Sequence, residues 1–409
     1  MNVLIVNKYF FVSGGPERYM FSAIDFLERQ GHHVVPLTLA LEQNQPSPYA
    51  HYFLPSPFDQ RTSHYKDSAL GLTEKVRLTL RSIYYGAARR RVTEIVRREK
   101  IDTVYLLNIC NYISPSVIDG ARQAGARVVM RLSDFNFVCA SYHFFRDGQV
   151  CTACQNGMYH AIKYRCVRDS LSLSAARVLA MKIHVAMRIY QRVHAFVTPS
   201  QFMAESLIQA QIPRERVHCI PSFVDLKQYT PVYKPGRYAL YFGRLDTEKG
   251  VDQLLYAWQS IGKDAPPLRI IGSGEAEADL RKLARELDVS NVEFYGFMKK
   301  EQLIEQIQGA AFIVVPSLWP DNSPMAVYEA MACGKAVIGS WLGGIPDQVE
   351  DGKTGVLIEP GNVDAVAHAV MRLWQDVNLT ETLGYAARQR AETEFSPENH
   401  ISRLMDVLW

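Results

Sequence analysis

The sequence predicts an α/β protein made of two doubly wound parallel-sheet domains that face each other across a cleft. Three observations support this prediction: a length of 409 residues, two successive series of short apolar segments alternating with amphipathic helical patterns, and a proline-rich break between them. Single hydrophobic cores rarely grow beyond about 250–300 residues, so this length suits two domains. Short apolar strands alternating with helices are typical of a parallel sheet covered on both faces.

The first series begins with the apolar segment VLIV (3–6), the loop SGGPER and a helical pattern over 17–30 that ends at Gly31. Further strands are predicted at 32–39, 102–107, 126–132 and 194–200. The break follows at 218–237, and the linker is placed near Pro221–Pro235 because proline and polar residues cluster there. The first domain therefore spans 1–222.

The second series repeats the pattern and forms a domain over 223–394. Its strands are predicted at 238–245, 268–274, 292–297, 310–317, 335–340 and 354–360. A helix starts at about Lys249, and two helical segments close the chain, at about 362–394 and 397–408. We expect the last segment, 395–409, to cross back onto the first domain.

Composition narrows the function classes. The chain is 48% hydrophobic and 21% charged with a formal net charge of +3, so it is globular and nothing demands a nucleic-acid partner. The N-terminal segment lacks a signal-peptide pattern, and no apolar run approaches the roughly 20 residues of a membrane span. Seven cysteines, an odd number, favour a reducing compartment. We expect a cytoplasmic protein.

Two Gly-containing loops have the composition of anion sites. In FGRLDTEKG (242–250), Arg244 ends a strand and Lys249 precedes a helix, an arrangement that suits a diphosphate. In SGGPE (13–17), the adjacent Gly14 and Gly15 let the backbone approach a ligand. The alternatives are a solvated charged loop and an ordinary turn.

The segment DNSPMAVYE (321–329) places two carboxylates around a helix start. The amides of Met325 and Ala326 fall in the first helical turn, free to donate to phosphate. Glu329 lies one turn further on and can accept from vicinal hydroxyls such as those of a ribose, while Asp321 lies nearer a leaving sugar. The alternative is an N-cap at Asp321 or Asn322 followed by a surface acid.

These motifs, in this order, resemble those of family 4 glycosyltransferases, which have the GT-B fold of two Rossmann-like domains. Five signatures carry the resemblance: GGPE, FGRLDTEKG, IIGSGE (270–275), the acidic pair of 321–329, and GGIPDQVEDGKTGVLIEP (343–360). The resemblance covers almost the whole chain. It implies a retaining transferase that moves a sugar from a nucleotide donor and needs no metal for catalysis.

The resemblance also implies roles for single residues. Arg244 and Lys249 would hold the donor diphosphate, Glu329 the ribose and Asp321 the transferred sugar, while the backbone near Phe297 would read the base. The expected donor-binding set is Gly14, Gly15, Arg244, Lys249, Gly272, Phe297, Ser323, Met325, Ala326 and Glu329. The expected catalytic set is Asp321, Asp134, Arg244 and Lys249.

Two positions depart from the family pattern. The family usually has Glu where this chain has Asp321, and often has His where this chain has Ser133, while Asp134 follows as expected. A histidine facing the reacting centre is therefore missing at position 133. No D-x-D triplet occurs, which agrees with catalysis that uses fixed cations and helix N-termini rather than a metal.

Four cysteines form a separate pattern, C-x11-C-x2-C-x11-C, within an insertion over 139–166. They are Cys139, Cys151, Cys154 and Cys166. Thiolates separated by two residues can chelate zinc with a distant pair, so a structural zinc is predicted. A disulfide pair and unligated thiols are the alternatives.

The segment 74–100 carries seven arginines among apolar residues at helical spacing. It could contact an anionic membrane, where lipid-linked acceptors reside. The alternative is a solvated basic face on a helix packed against the sheet.

The resemblance therefore implies a metal-independent retaining glycosyltransferase, and we expect it to use a UDP- or GDP-sugar. We expect it to act on a glycan, lipid-linked or other glycoconjugate acceptor in cell-surface polysaccharide biosynthesis. Two alternatives remain open: a sugar-nucleotide epimerase with the same fold, and a catalytically silent scaffold subunit that binds a nucleotide sugar.

Overall fold

The computed structural model describes residues 1–57, 72–110 and 112–409, without the side chains of 72–75. The strands before residue 220 are β1 (Asn2–Val6), β2 (His33–Leu37), β3 (Leu39–Ala40), β4 (Leu54–Pro55), β5 (Thr103–Leu106), β6 (Arg127–Arg131), β7 (Phe145–Arg146), β8 (Gln149–Val150), β9 (Ala195–Thr198) and β10 (Val217–Cys219). The helices of this part are α1 (Gly15–Arg29), α2 (Leu72–Ile83), α3 (Gly86–Arg98), α4 (Ser116–Gln123), α5 (Tyr159–Lys163), α6 (Leu171–Ala186) and α7 (Gln201–Gln209).

The second part repeats the alternation of strands and helices. Its strands are β11 (Ala239–Phe242), β12 (Leu268–Ile271), β13 (Val292–Gly296), β14 (Phe312–Val315), β15 (Ala336–Ser340) and β16 (Gly355–Ile358). Its helices are α8 (Val251–Ile261), α9 (Glu277–Glu286), α10 (Lys300–Gly309), α11 (Met325–Ala332), α12 (Ile345–Gln348), α13 (Val363–Gln375), α14 (Val377–Glu394) and α15 (Pro397–Leu408).

Two parallel six-stranded sheets result, and they confirm the predicted fold class. Their orders are β10-β9-β6-β5-β1-β2 and β13-β12-β11-β14-β15-β16. Both faces of each sheet are covered, which explains the continuous apolar runs. In β1, Leu4 and Val6 enter one core while Val3 and Ile5 enter the core on the opposite face.

The chain passes twice between the two sheets. The first passage follows β10 and reaches β11, and the second precedes α15, which packs on the first sheet. Thr103 Oγ1 donates to the carbonyl of Leu408 at 2.8 Å. The amide of Val224 donates to the carbonyl of Phe395 at 3.1 Å, which joins the two passages.

The helix boundaries differ from the sequence prediction at two places. Helix α1 begins at Gly15 rather than 17, because Pro16 fits the first turn of a helix. The segment 362–394 contains two helices, separated at Asp376, whose side chain caps α14 by accepting from the amide of Leu379 at 2.9 Å.

Candidate functional site

The loop that follows β11 packs tightly on the loop that follows β14. Gly250 has a φ of +67°, and a Cβ there would lie 2.2 Å from the carbonyl oxygen of Pro316, so only glycine fits. The amide of Leu318 donates to the carbonyl of Glu248 at 2.9 Å. These contacts bring together two loops from neighbouring strands at the carboxyl edge of the sheet.

Lys249 and Asp321 meet as a result. The ammonium of Lys249 forms an ion pair with the carboxylate of Asp321, and their side chains are only 16% and 10% exposed. The same ammonium lies 5.1 Å from the ring centroid of Trp319. The predicted phosphate cation and the predicted sugar carboxylate are thus direct neighbours.

Arg244 lies at the rim of this site. Its guanidinium pairs with Asp246 and, at 3.2 Å, with Glu248, and its side chain is 60% exposed. Arg244 is therefore paired with acids of its own loop while its side chain stays largely exposed.

The two glycines of the GGIP signature pack against the backbone of the Asp321 loop. The amide of Gly344 donates to the carbonyl of Asp321 at 2.7 Å. Gly343 has a φ of +63°, and a Cβ there would lie 2.5 Å from the same carbonyl oxygen. This signature therefore positions the acidic loop.

Polar atoms on the same loop are left without protein partners. Ser317 Oγ, Trp319 Nε1 and Asn322 Nδ2 are buried and make no hydrogen bond within the described residues. Buried polar atoms are normally paired, so the loop retains unused hydrogen-bonding capacity.

Helix α11 begins directly after this loop. Its N-cap position is Pro324, and within the described chain no side chain caps the helix. The amides of Met325 and Ala326 are therefore suited to an external acceptor such as phosphate. Ser323 lies just before this turn, where its hydroxyl bonds to that of Tyr328 at 3.0 Å.

Glu329 is buried one turn further along α11. Tyr229 donates to its carboxylate at 3.1 Å, and Arg18 of the first domain approaches it to 3.8 Å. Burial raises the pKa of Glu329, while Arg18 and Tyr229 oppose this shift. The carboxylate thus faces the cleft between the two domains. Arg244, Lys249, Asp321 and Glu329 are called the donor cluster below.

The first domain contributes open backbone opposite this helix. Gly14 is the N-cap of α1, and a Cβ added to Gly15 would meet no atom within 4 Å among the residues that the structure describes. Glu17 is buried beneath the loop, where it accepts from Ser13 Oγ at 2.9 Å. There is therefore space for a ligand in front of Gly15.

Asp134 lies in the part of the first domain that forms the wall of the cleft. It accepts hydrogen bonds from the Asn136 amide at 3.0 Å and from Asn136 Nδ2 at 2.7 Å. Burial raises the pKa of Asp134, and Asn136, Arg177 and Lys8 oppose this shift. Burial also lowers the pKa of Lys8 to about 8.

Gly272 and Phe297 lie apart from these contacts. Gly272 has a φ of +147°, and a Cβ there would lie 1.8 Å from the carbonyl oxygen of Gly243, so the ends of β12 and β11 require this glycine. Phe297 follows β13 at the sheet edge and is 75% exposed. Their contacts with a donor stay predictions.

The four cysteines of the insertion lie in the same region of the first domain. Burial raises the pKa of Cys154 to about 11, and the thiols of Cys139, Cys166 and Cys151 contribute to this shift. Across the described ranges, no three His, Cys, Asp or Glu side chains are arranged to hold a metal ion. The predicted zinc stays a prediction.

The arginine-rich segment 74–100 forms α2 and α3. Helix α3 buries Ala88, Val92, Ile95 and Val96 against the core. Arg81 of α2 donates to the carbonyls of Tyr112 and Pro55, at 2.7 and 2.9 Å. Helix α2 also exposes Val76 and Leu80. No helix within the described residues has the length and apolar character needed to cross a membrane.

Sequence reasoning missed three contributors to this region. Arg18 directly follows the GGPE signature, so its position one turn into the helix was a usable signal. Tyr229 lies in the linker, and His143 lies in the cysteine insertion. Nothing in the sequence places these two beside the donor cluster, because only the path of each loop brings them there.

Comparison with known proteins gives these observations a family context. Residues 13–228 match Glycosyltransferase Family 4, and residues 225–390 match Glycosyl transferases group 1. A GDP-mannose-dependent monoacylated alpha-(1-6)-phosphatidylinositol monomannoside mannosyltransferase of Corynebacterium glutamicum is 30% identical over 46% of this chain and 55% of its own length. The Erwinia amylovora protein AmsK, an amylovoran biosynthesis glycosyltransferase, is 27% identical over 54% of this chain and 57% of its own length. The chain thus spans about half the length of the curated relatives it matches.

Solved structures match over the whole chain. Anabaena HepE in complex with UDP has a TM-score of 0.67 at 18% identity and covers 100% of this chain and 99% of its own. Sucrose-phosphate synthase from Thermosynechococcus elongatus has a TM-score of 0.69 at 18% identity, covering 99% and 98%. These likenesses confirm the two-domain GT-B fold. With both domains matched in order, the chain belongs to glycosyltransferase family 4.

Proposed function

We propose that this protein transfers a sugar from a nucleotide-sugar donor to a glycan, lipid-linked or other glycoconjugate acceptor, with retention of anomeric configuration and without a catalytic metal. One observation carries the proposal: the donor cluster and the uncapped start of α11 converge at the carboxyl ends of the strands, opposite the open Gly15 loop. Ligands of doubly wound sheets bind at this edge.

Each part of the cluster has a task in this reaction. Lys249, Arg244 and the amides of α11 stabilise the leaving diphosphate, in the place of a metal ion. Glu329 accepts from the ribose hydroxyls, and Asp321 orients the sugar. Binding of the diphosphate would separate Lys249 from Asp321, which frees the carboxylate for the sugar hydroxyls.

Retention needs no dedicated base. The acceptor enters on the face that the diphosphate leaves, so the departing phosphate oxygen takes the acceptor proton. Asp134 then forms part of the wall of the site rather than acting as a base, because it already accepts two hydrogen bonds from Asn136.

The names of related proteins support a nucleotide-sugar donor. The relative from Corynebacterium glutamicum is named as GDP-mannose-dependent, and HepE was solved with UDP. The relative AmsK is named as an amylovoran biosynthesis glycosyltransferase, which supports a role in biosynthesis of a glycan. We propose that this glycan is a cell-surface polysaccharide and that the protein acts at the cytoplasmic face of the membrane. The exposed Val76 and Leu80 on the arginine-bearing α2 support peripheral contact there.

A thermal-shift screen with UDP-, GDP- and ADP-sugars tests the proposal. A ligand that binds only the folded protein raises the melting temperature, and a concentration of 100 times Kd contributes about 2.7 kcal/mol. We expect one nucleotide series to stabilise the protein and its sugar to be transferred when acceptor is supplied. Stabilisation by no nucleotide would contradict the proposal. Conversion of the donor sugar without acceptor would indicate an epimerase instead.

A further inference from the structure

His143 lies in the cysteine-rich insertion of the first domain but touches the second domain. Its ring packs edge-to-face on Trp319, with centroids 5.5 Å apart and planes at 78°. The ring of the neighbouring Tyr142 also packs edge-to-face on it, with centroids 4.3 Å apart. Aromatic packing therefore holds the imidazole at the cleft between the domains.

Trp319 also contacts the donor cluster. The ammonium of Lys249 lies 5.1 Å from the same indole centroid, and Lys249 pairs with Asp321. One indole ring thus joins the imidazole to the cation predicted to hold phosphate. Asp321, the residue assigned to the sugar, is the ion-pair partner of this cation.

The charged side chains near the imidazole also belong to the region of the donor cluster. Burial lowers the pKa of His143, with smaller effects from Glu248, Arg244, Asp246 and Lys249. These four side chains belong to the loop after β11 in the second domain. A neutral imidazole presents one donor and one acceptor, which matches a sugar hydroxyl better than a phosphate.

The ring nitrogens are available for such a contact. Within the described part of the chain, His143 makes no hydrogen bond, and neither nitrogen is among the buried atoms that lack a partner. Packing thus holds the ring, and its nitrogens remain accessible to a ligand.

We propose that His143 hydrogen-bonds a hydroxyl of the transferred sugar and supplies the imidazole that is missing at position 133. The proposal rests on the function proposed above and adds a sugar contact from the insertion. Ser133 occupies the position where the family often has histidine, and the insertion brings a histidine to the cleft from a site ten residues later in the chain.

The test compares His143→Phe with His160→Phe. The first variant keeps a ring against Trp319 and removes the polar atoms. The second changes a histidine of the same insertion whose ring stacks on Tyr164, with centroids 5.9 Å apart. Titration calorimetry measures binding of UDP, UDP-glucose, GDP and GDP-mannose, and donor turnover is measured with the nucleotide sugar that binds the wild-type protein.

We expect His143→Phe to bind the nucleoside diphosphate within about twofold of wild type, because the phosphate contacts remain. Its affinity for the nucleotide sugar and its turnover should each fall about 5- to 10-fold, the effect of one lost hydrogen bond. His160→Phe should match wild type.

Equal weakening of nucleotide and nucleotide sugar in His143→Phe, or no change in either affinity or turnover, overturns the His143 contact but leaves the proposed function standing. A wild-type protein that binds none of the four probes, and that no nucleotide stabilises in the thermal-shift screen, overturns both.

Discussion

Lys249 and Asp321, 72 positions apart in the chain, form an ion pair that joins the loop after β11 to the loop before α11. The cation assigned to phosphate thus neutralises the carboxylate assigned to the sugar. A donor that binds as proposed has to separate the two side chains. We therefore expect each residue to affect both the stability of the protein and its activity.

This pairing predicts different results for the two cations of the site. Lys249→Ala leaves Asp321 nearly buried without its partner, so the free energy of unfolding should fall by about 1–3 kcal/mol. Arg244 is 60% exposed, so Arg244→Ala should change that free energy by less than about 0.5 kcal/mol. Both should lower kcat/KM about 10- to 100-fold or more. Urea unfolding and initial rates measure the two effects. Unchanged turnover in Arg244→Ala would remove it from the site.

Substitutions of Glu329 and of its cross-domain partner Arg18 distinguish ribose binding from contact between the domains. Glu329→Gln removes the charged acceptor and should weaken binding of the nucleoside diphosphate about 10-fold. Arg18→Ala removes an exposed partner 3.8 Å away and should change that affinity by less than about threefold. Titration calorimetry with UDP and GDP measures both. Equal losses in the two variants would mean that the cross-domain pair, rather than the ribose contact, sets the affinity.

The lowered pKa of the buried His400 predicts how the stability of the protein depends on pH. Burial, with Arg131 nearby, lowers the pKa of His400 from 6.5 to about 3, although the Pro221 carbonyl favours the charged form. Below pH 6.5 the imidazole of His400 is protonated in the unfolded chain but stays neutral in the folded protein. The free energy of unfolding therefore falls as the pH drops, and it levels off near pH 3. His400→Gln should flatten this decline by up to about 1.4 kcal/mol per pH unit. Urea unfolding at several pH values measures it, and equal slopes in the two proteins would refute the assignment.

The cysteine cluster predicts a metal content. We propose that Cys139, Cys151, Cys154 and Cys166 bind one structural zinc ion that folds the insertion and takes no part in the chemistry. Metal analysis of purified protein should find close to one zinc per chain, and Cys154→Ser should lower that content. Strong chelation should lower the melting temperature, because metal binding is coupled to folding. Metal-free protein of normal stability and activity would contradict the proposal.

The sequence was sufficient for those parts of the fold and site that depend on local pattern. Alternating apolar strands and helices predicted both sheets, and the family resemblance implied that Lys249 and Asp321 belong to one site. Local pattern did not predict that they pair with each other, because the pairing depends on the close approach of Gly250 to Pro316.

Other features depend on contacts between distant segments. Gly272 lies in a motif assigned to the donor, yet its closest constraint is the backbone of Gly243. Arg18 reaches Glu329 only because the two domains face each other, and His143 reaches Trp319 only through the path of the insertion. Neither spacing nor residue type encodes such distances.

One measurement tests sugar transfer with retention directly. With the nucleotide sugar that stabilises the protein and glycerol as a surrogate acceptor, proton NMR of the isolated glycoside identifies its anomeric configuration. A glycoside does not mutarotate, so the product preserves the stereochemistry of the enzymatic step. We predict an α-glycoside from an α-linked donor, and Asp134→Asn should slow its formation without changing the anomer. A β-glycoside, with all activity lost in Asp134→Asn, would contradict the account and make Asp134 the catalytic base.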